Sequence, residues 1–88
     1  MDETRLKRLR FRAWRRGFRE ADLILGPFAD SHAWSLTEIE VAAFESLLDR
    51  PDHDVYGWII YGDDAPTADE TDLIARIRAF HVPPGANA

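Results

Sequence analysis

The residues best equipped for chemistry sit in the first quarter of the chain, where Arg16-Gly17-Phe18-Arg19-Glu20 places a lone glycine between cations. Guanidinium groups offer paired donors that match a carboxylate or a phosphate, which an ammonium cannot do. Gly17 opens backbone conformations closed to other residues and allows close approach of a second chain. Glu20 follows Arg16 by four residues, within reach of it if one helix runs through Gly17. Ahead of the motif, Arg5, Arg8, Arg12, Arg15 and Arg19 recur at steps of three, four, three and four, which on a helix is one continuous stripe. Leu6, Leu9 and Ala13 form an apolar edge beside it, so the helix can seat on a core with its guanidiniums outward. A row of like charges costs local stability, and a partner surface is the predicted beneficiary. Arg12, Arg15, Arg16, Gly17, Arg19 and Glu20 are therefore the predicted partner-binding residues.

Bond-making chemistry finds little to work with. His32, His53 and His81 are scattered singly, without the helical spacing of a two-histidine metal site. Asp49, Asp52, Asp54, Asp63 and Asp64 do not overlay a calcium loop with its central glycine and terminal glutamate, and read instead as solvated turns and an acidic helix start. Ser31, Ser35 and Ser46 lie in no nucleophile elbow, and the five glycines form no phosphate cradle. No catalytic residue and no bound metal is expected.

The elements that position these residues read as helices. Residues 4–15 form the first, with Gly17 as its stop or hinge. Phe18, Ala21, Ile24, Leu25 and Phe28 make a second, which Pro27 must kink or end. Ser35-x-x-Glu38 is a capping box for a third, with Leu36, Ile39, Ala43 and Leu47 on one face, Phe44 and Leu48 adjoining, and a stop near Asp49 ahead of Pro51. Val55 to Tyr61 is strand-like in composition, yet no second strand-like run exists to pair with it. It is predicted as a short helix from about Asp52 to Gly62. Thr67-x-x-Glu70 caps a last helix through Leu73, Ile74, Ile77 and Phe80 to about His81, before Pro83 and Pro84. The fold class predicted is all-α, a small bundle of about five helices, in one domain over 1–88 with a frayed tail from Val82.

Charge and composition narrow the function further. Residues 1–20 hold eight Lys or Arg and three acids, whereas 21–88 hold three basic residues and thirteen acids. The chain is thus a dipole, net −5, and its acidic majority would repel phosphate around a basic reading helix. Eighty-eight residues bury roughly 60–65% of their unfolded surface, enough for a modest core but a poor frame for a large cofactor cleft. There is no cysteine, which suits a reducing compartment, and the cytoplasm is the expected location. No apolar run is long enough to span a bilayer, and the start of the chain lacks a signal-peptide core.

In order along the chain, Arg16-Gly17-x-x-Glu20 after an Arg-rich helix with Trp14, Asp22-Leu23-Ile24-Leu25, Gly26-Pro27-Phe28, Ser35-Leu36-x-x-Ile39, Phe44-x-x-Leu47-Leu48-Asp49, Pro51-Asp52 and Tyr56-x-Trp58 before Gly62 resemble the succinate dehydrogenase flavinylation factors of the SdhE type. The resemblance covers roughly residues 4–81, with Gly57 a departure from the polar residue expected between the aromatics. It implies a five-helix assembly factor that is not itself an enzyme. Such a factor binds the flavoprotein subunit of succinate dehydrogenase, with that of fumarate reductase a second candidate client. It promotes covalent attachment of FAD to a histidine of that partner, holding no cofactor stably itself. A domain with no nucleophile can still act by restricting a partner to its reactive geometry. Two other classes stay open on the residues alone: a basic-helix nucleic-acid-binding regulator, and a helical interaction module with an unrelated partner.

Overall fold

The computed structural model describes residues 2–81, and the expected frayed tail from Val82 lies outside them. Five α-helices and one short 3₁₀ turn follow in order: α1 (Glu3–Trp14), α2 (Arg19–His32), the turn Ala33–Ser35, α3 (Glu38–Leu48), α4 (Asp52–Tyr61) and α5 (Ala68–His81). The all-α expectation holds, including the helix over the strand-like segment.

Each boundary has a local cause. Asp2 opens α1 by accepting the Thr4 N–H at 2.9 Å, using one of the donors that a helix start leaves without a partner. The capping box of α3 is Thr37 with Glu40, not Ser35 with Glu38: Thr37 Oγ1 accepts the Glu40 N–H at 3.2 Å, and Glu40 Oε1 accepts the Thr37 N–H at 2.8 Å. Ser35 instead donates its hydroxyl to the His32 carbonyl at 3.0 Å. Both pairs satisfy the same sequence pattern, and the intervening 3₁₀ turn decides between them. The two-residue shift also turns Ile39 outward, to 66% exposure, and puts Val41 in the core. Gly62 ends α4 at φ +77°, the left-handed geometry in which glycine carries no Cβ penalty.

Pro27 does not end α2, which continues to His32. Its ring removes the N–H that would reach the Leu23 carbonyl, and Leu23 lies on the solvent side, where water can take that carbonyl.

The core gathers Leu9 from α1, Leu25 and Phe28 from α2, Phe44 and Leu47 from α3, Val55 from α4, and Leu73 and Ile77 from α5. Phe28 is its centre, with ring centroids 5.9 Å from Phe44 and 5.7 Å from Phe80. Phe80 itself is partly open to solvent, and Tyr56 and Trp58 pack half-buried against the cluster.

Helices α1 and α2 pack as a hairpin whose closeness depends on Gly26. A Cβ at that position would stand 2.3 Å from Cδ2 of Trp14, so the indole lies directly on the α2 backbone. Asp30, one turn further on, accepts from Trp14 Nε1 at 3.0 Å and from Arg10 Nε at 3.0 Å. One carboxylate thereby ties two α1 side chains to α2.

Candidate partner-binding surface

The motif occupies the turn between α1 and α2. Helix α1 stops at Trp14, Arg15 takes φ −130° and ψ 43°, and Gly17 stands exposed at φ +88°. A Cβ on Gly17 would meet no atom within 4 Å, so the glycine serves backbone geometry and not crowding within the chain.

Arg16 turns inward. Its side chain is 7% exposed, with Nε 2.7 Å from Oδ1 of Asp52. Nη1 donates to the Leu48 carbonyl at 2.7 Å and Nη2 to the Arg50 carbonyl at 2.6 Å. The Leu48 carbonyl closes α3 and the Arg50 carbonyl lies just past its C-cap, where helical partners run out, and Asp52 sits in the first turn of α4. The cation therefore lies at the negative end of one helix while its carboxylate partner lies at the positive end of the next. The Arg16 N–H also donates to Oδ1 of Asp22 at 3.1 Å, so backbone and side chain together lock the turn to three helices.

The predicted pairing of Arg16 with Glu20 is absent. The left-handed backbone at Gly17 breaks the helix between them, and Glu20 lies exposed in the first turn of α2 with no ion pair among the described residues. The predicted continuous arginine stripe is broken at the same point, since Arg19 begins α2. Much of the row is also neutralised. Arg5 holds Glu45 of α3 bidentately, Nε at 3.1 Å and Nη2 at 2.6 Å, and Arg12 holds Asp49 at 2.6 Å. The Arg5 hydrogen bond keeps the Glu45 carboxyl below the usual carboxylate range, and the same contact raises Arg5. A basic helix survives here because Asp30 of α2, Glu45 of α3 and Asp49 at the end of α3 face it, which leaves fewer cations for phosphate.

Six sequence-predicted residues thus divide. Arg15, Gly17, Arg19 and Glu20 lie exposed around the turn, Arg12 is half-buried at its edge, and Arg16 forms the support beneath. Sequence reasoning missed the acids that hold this support: no periodicity links Arg16 to Asp52, 36 positions on, and Asp22, six positions on, is brought to the Arg16 N–H by the break in the helix at Gly17. Phe11 lies off the apolar edge formed by Leu6, Leu9 and Ala13. That ring is 60% exposed, with the Arg15 guanidinium carbon 4.7 Å from its centroid.

A family model described as flavinator of succinate dehydrogenase matches residues 7–81, nearly all of the described chain. The chain belongs to this family. Among curated relatives, an FAD assembly factor SdhE from Pseudomonas aeruginosa is 36% identical over 76 residues, which cover 86% of this chain and 89% of the relative. A second SdhE, from Haemophilus ducreyi, is 37% identical over 65 residues, 74% of this chain and 79% of that one. A mitochondrial succinate dehydrogenase assembly factor 2 from Dictyostelium discoideum is 33% identical over 72 residues, 82% of this chain. The chain spans about half the length of such mitochondrial relatives, 51% in Dictyostelium and 42% in Meyerozyma guilliermondii. No solved structure matches it. Among the described residues no helix is long and apolar enough to cross a membrane.

Proposed function

We propose that this chain is an assembly factor that binds the flavoprotein subunit of succinate dehydrogenase, with that of fumarate reductase as a second client, and promotes covalent attachment of FAD there. The observation that carries this reading is the left-handed Gly17 on an exposed turn ringed by Arg15, Arg19 and Glu20, fixed from below by Arg16. A rigid convex turn with two open cations and one open carboxylate can engage a polar partner surface at low ordering cost, because its backbone is already held. The chain's part is to hold the flavoprotein in the geometry in which its own histidine meets the flavin, the bond itself forming within the partner. No cofactor is assigned to this chain, and the cytoplasm is the setting proposed for it.

The test is the in-gel flavin fluorescence of denatured succinate dehydrogenase flavoprotein from cells with the chain, without it, and with Gly17→Arg or Glu20→Ala. The expected result is loss of the fluorescent band without the chain and with Gly17→Arg, and a weaker band with Glu20→Ala. Glu20→Ala removes an exposed, unpaired side chain, so its effect does not depend on folding. An unchanged band in every arm would overturn the proposal.

A further inference from the structure

Next to the motif turn, α1 presents an exposed aromatic ring with a hollow on either side. One hollow, about 220 Å³, lies between Phe11, Arg15, Arg16, Leu48 and Asp52. The other, about 370 Å³, lies between the same Phe11 and Arg15 and the side chains of Lys7, Arg10, Trp14 and Asp30. Arg15 borders both. Among the described residues it has no ion pair, whereas Arg5, Arg10, Arg12 and Arg16 each hold a carboxylate. Its guanidinium lies over the Phe11 ring and makes no hydrogen bond among the described residues, which leaves the fork of donors unused.

We propose that a carboxylate-bearing segment of a protein partner docks across Phe11, with Arg15 as its carboxylate anchor and the Phe11 ring as its apolar contact. It deepens the proposed function by naming the chemistry of the partner's contact, and it rests on that reading only for which protein supplies the segment. Charge complementarity selects the occupant. Asp52 lines one hollow and Asp30 the other, each already engaged, and residues 21–88 are net acidic. A continuous phosphate backbone entering both hollows would meet a carboxylate in each. A single Asp or Glu side chain needs only Arg15, and apolar neighbours in an extended or helical segment can then cover Phe11 and the edge of Trp14. An exposed aromatic beside an arginine is also the composition that concentrates binding energy at interfaces.

Two probes test the proposal with the full chain. The first is a short capped peptide of alternating glutamate and leucine, titrated while amide, Arg15 Nε and Trp14 Nε1 resonances are followed by NMR. Shifts confined to the Phe11 side of α1 and the motif turn are expected, lost in Phe11→Ala and in Arg15→Lys. No shifts, shifts elsewhere, or stronger shifts at the same residues with an oligothymidylate would overturn the proposal. The second probe is purified succinate dehydrogenase flavoprotein, for which Phe11→Ala and Arg15→Lys are expected to weaken binding roughly tenfold or more. Both side chains are exposed, so melting temperatures within a few degrees of the unaltered chain are expected. Normal affinity in both variants would overturn this docking mode while leaving the assembly role intact. Peptide docking as described in a chain without effect on flavin attachment would remove the assembly role alone.

Discussion

Arg16 Nε and Asp52 Oδ1 stand 2.7 Å apart and join the turn after α1 to the start of α4. The same guanidinium takes the Leu48 and Arg50 carbonyls, so one side chain closes the corner between α3 and α4. Arg50 then reaches on to α5, where its guanidinium is bidentate to Glu70 at 2.9 and 3.0 Å. A single chain of charge-assisted contacts thus runs from the motif turn to the last helix.

Replacing Arg16 by alanine leaves two carbonyls and a carboxylate without their donor in a partly buried site, where water reaches Asp52, and is expected to cost about 1–3 kcal/mol. Arg16→Lys is expected to recover only part, because an ammonium cannot span three acceptors in a planar fork. Thermal unfolding followed by circular dichroism reads both. Loss of flavoprotein binding with an unchanged melting temperature would show instead that Arg16 acts at the partner directly.

Gly26→Ala places a methyl group 2.3 Å from the Trp14 ring. The indole must then leave the α2 backbone and its bond to Asp30, an overpacking cost of about 1–3 kcal/mol. A blunted near-ultraviolet dichroism signal and a lower melting temperature are expected. Trp14→Ala in the same chain removes the clash, so the paired variant should lose less than the two single losses combined.

Stability should fall on the acid side. Glu70, 1% exposed, is held below the usual carboxylate range first by the Arg50 hydrogen bonds and then by Thr67, against the opposing effect of burial. Glu45 is lowered by Arg5, and Glu40 chiefly by the Thr37 N–H of its capping box. A carboxyl with a depressed folded value stabilises fully above its unfolded value, about 4.3, and loses that contribution as pH falls through the folded one. The melting temperature is thus expected to drop below about pH 4.5 and to drop less steeply in Glu70→Gln. An acid limb unchanged by Glu70→Gln would show that Glu70 carries none of this dependence.

How far the sequence discloses this molecule depends on the range of each interaction. Helix existence follows from the spacing of Leu6, Leu9 and Ala13 or of Leu73, Ile74 and Ile77, and from stops at Gly17 and Gly62, all local signals. The helix over Val55 to Tyr61 followed from the lack of a strand partner. Boundaries resting on degenerate patterns went astray. Ser35-x-x-Glu38 and Thr37-x-x-Glu40 both satisfy a capping box, and the second forms because Ser35 is taken into the 3₁₀ turn while Leu36 and Val41 are buried. At Thr67 the hydroxyl accepts the Glu70 N–H as predicted, but the Glu70 carboxylate turns to Arg50, which no local pattern could show. The same limit applies at the site. Arg16, Gly17 and Glu20 were legible as a motif, whereas the inward turn of Arg16 depends on Asp52 far along the chain.

Two glycines that look alike in sequence should respond oppositely to alanine. Gly57 lies within α4, is not among the positive-φ glycines, and a Cβ there meets nothing within 4 Å. Its one effect on the helix is the entropic cost of glycine in a helix interior, so Gly57→Ala is expected to stabilise by about 0.5–1 kcal/mol. Gly57 is then a weak point of α4. Gly17 has equal room for a methyl group but sits at φ +88°, where an L side chain costs about 1–2 kcal/mol, so Gly17→Ala is expected to destabilise. Urea unfolding of both variants measures the contrast, and a gain in stability from Gly17→Ala would show that the turn can abandon its left-handed geometry.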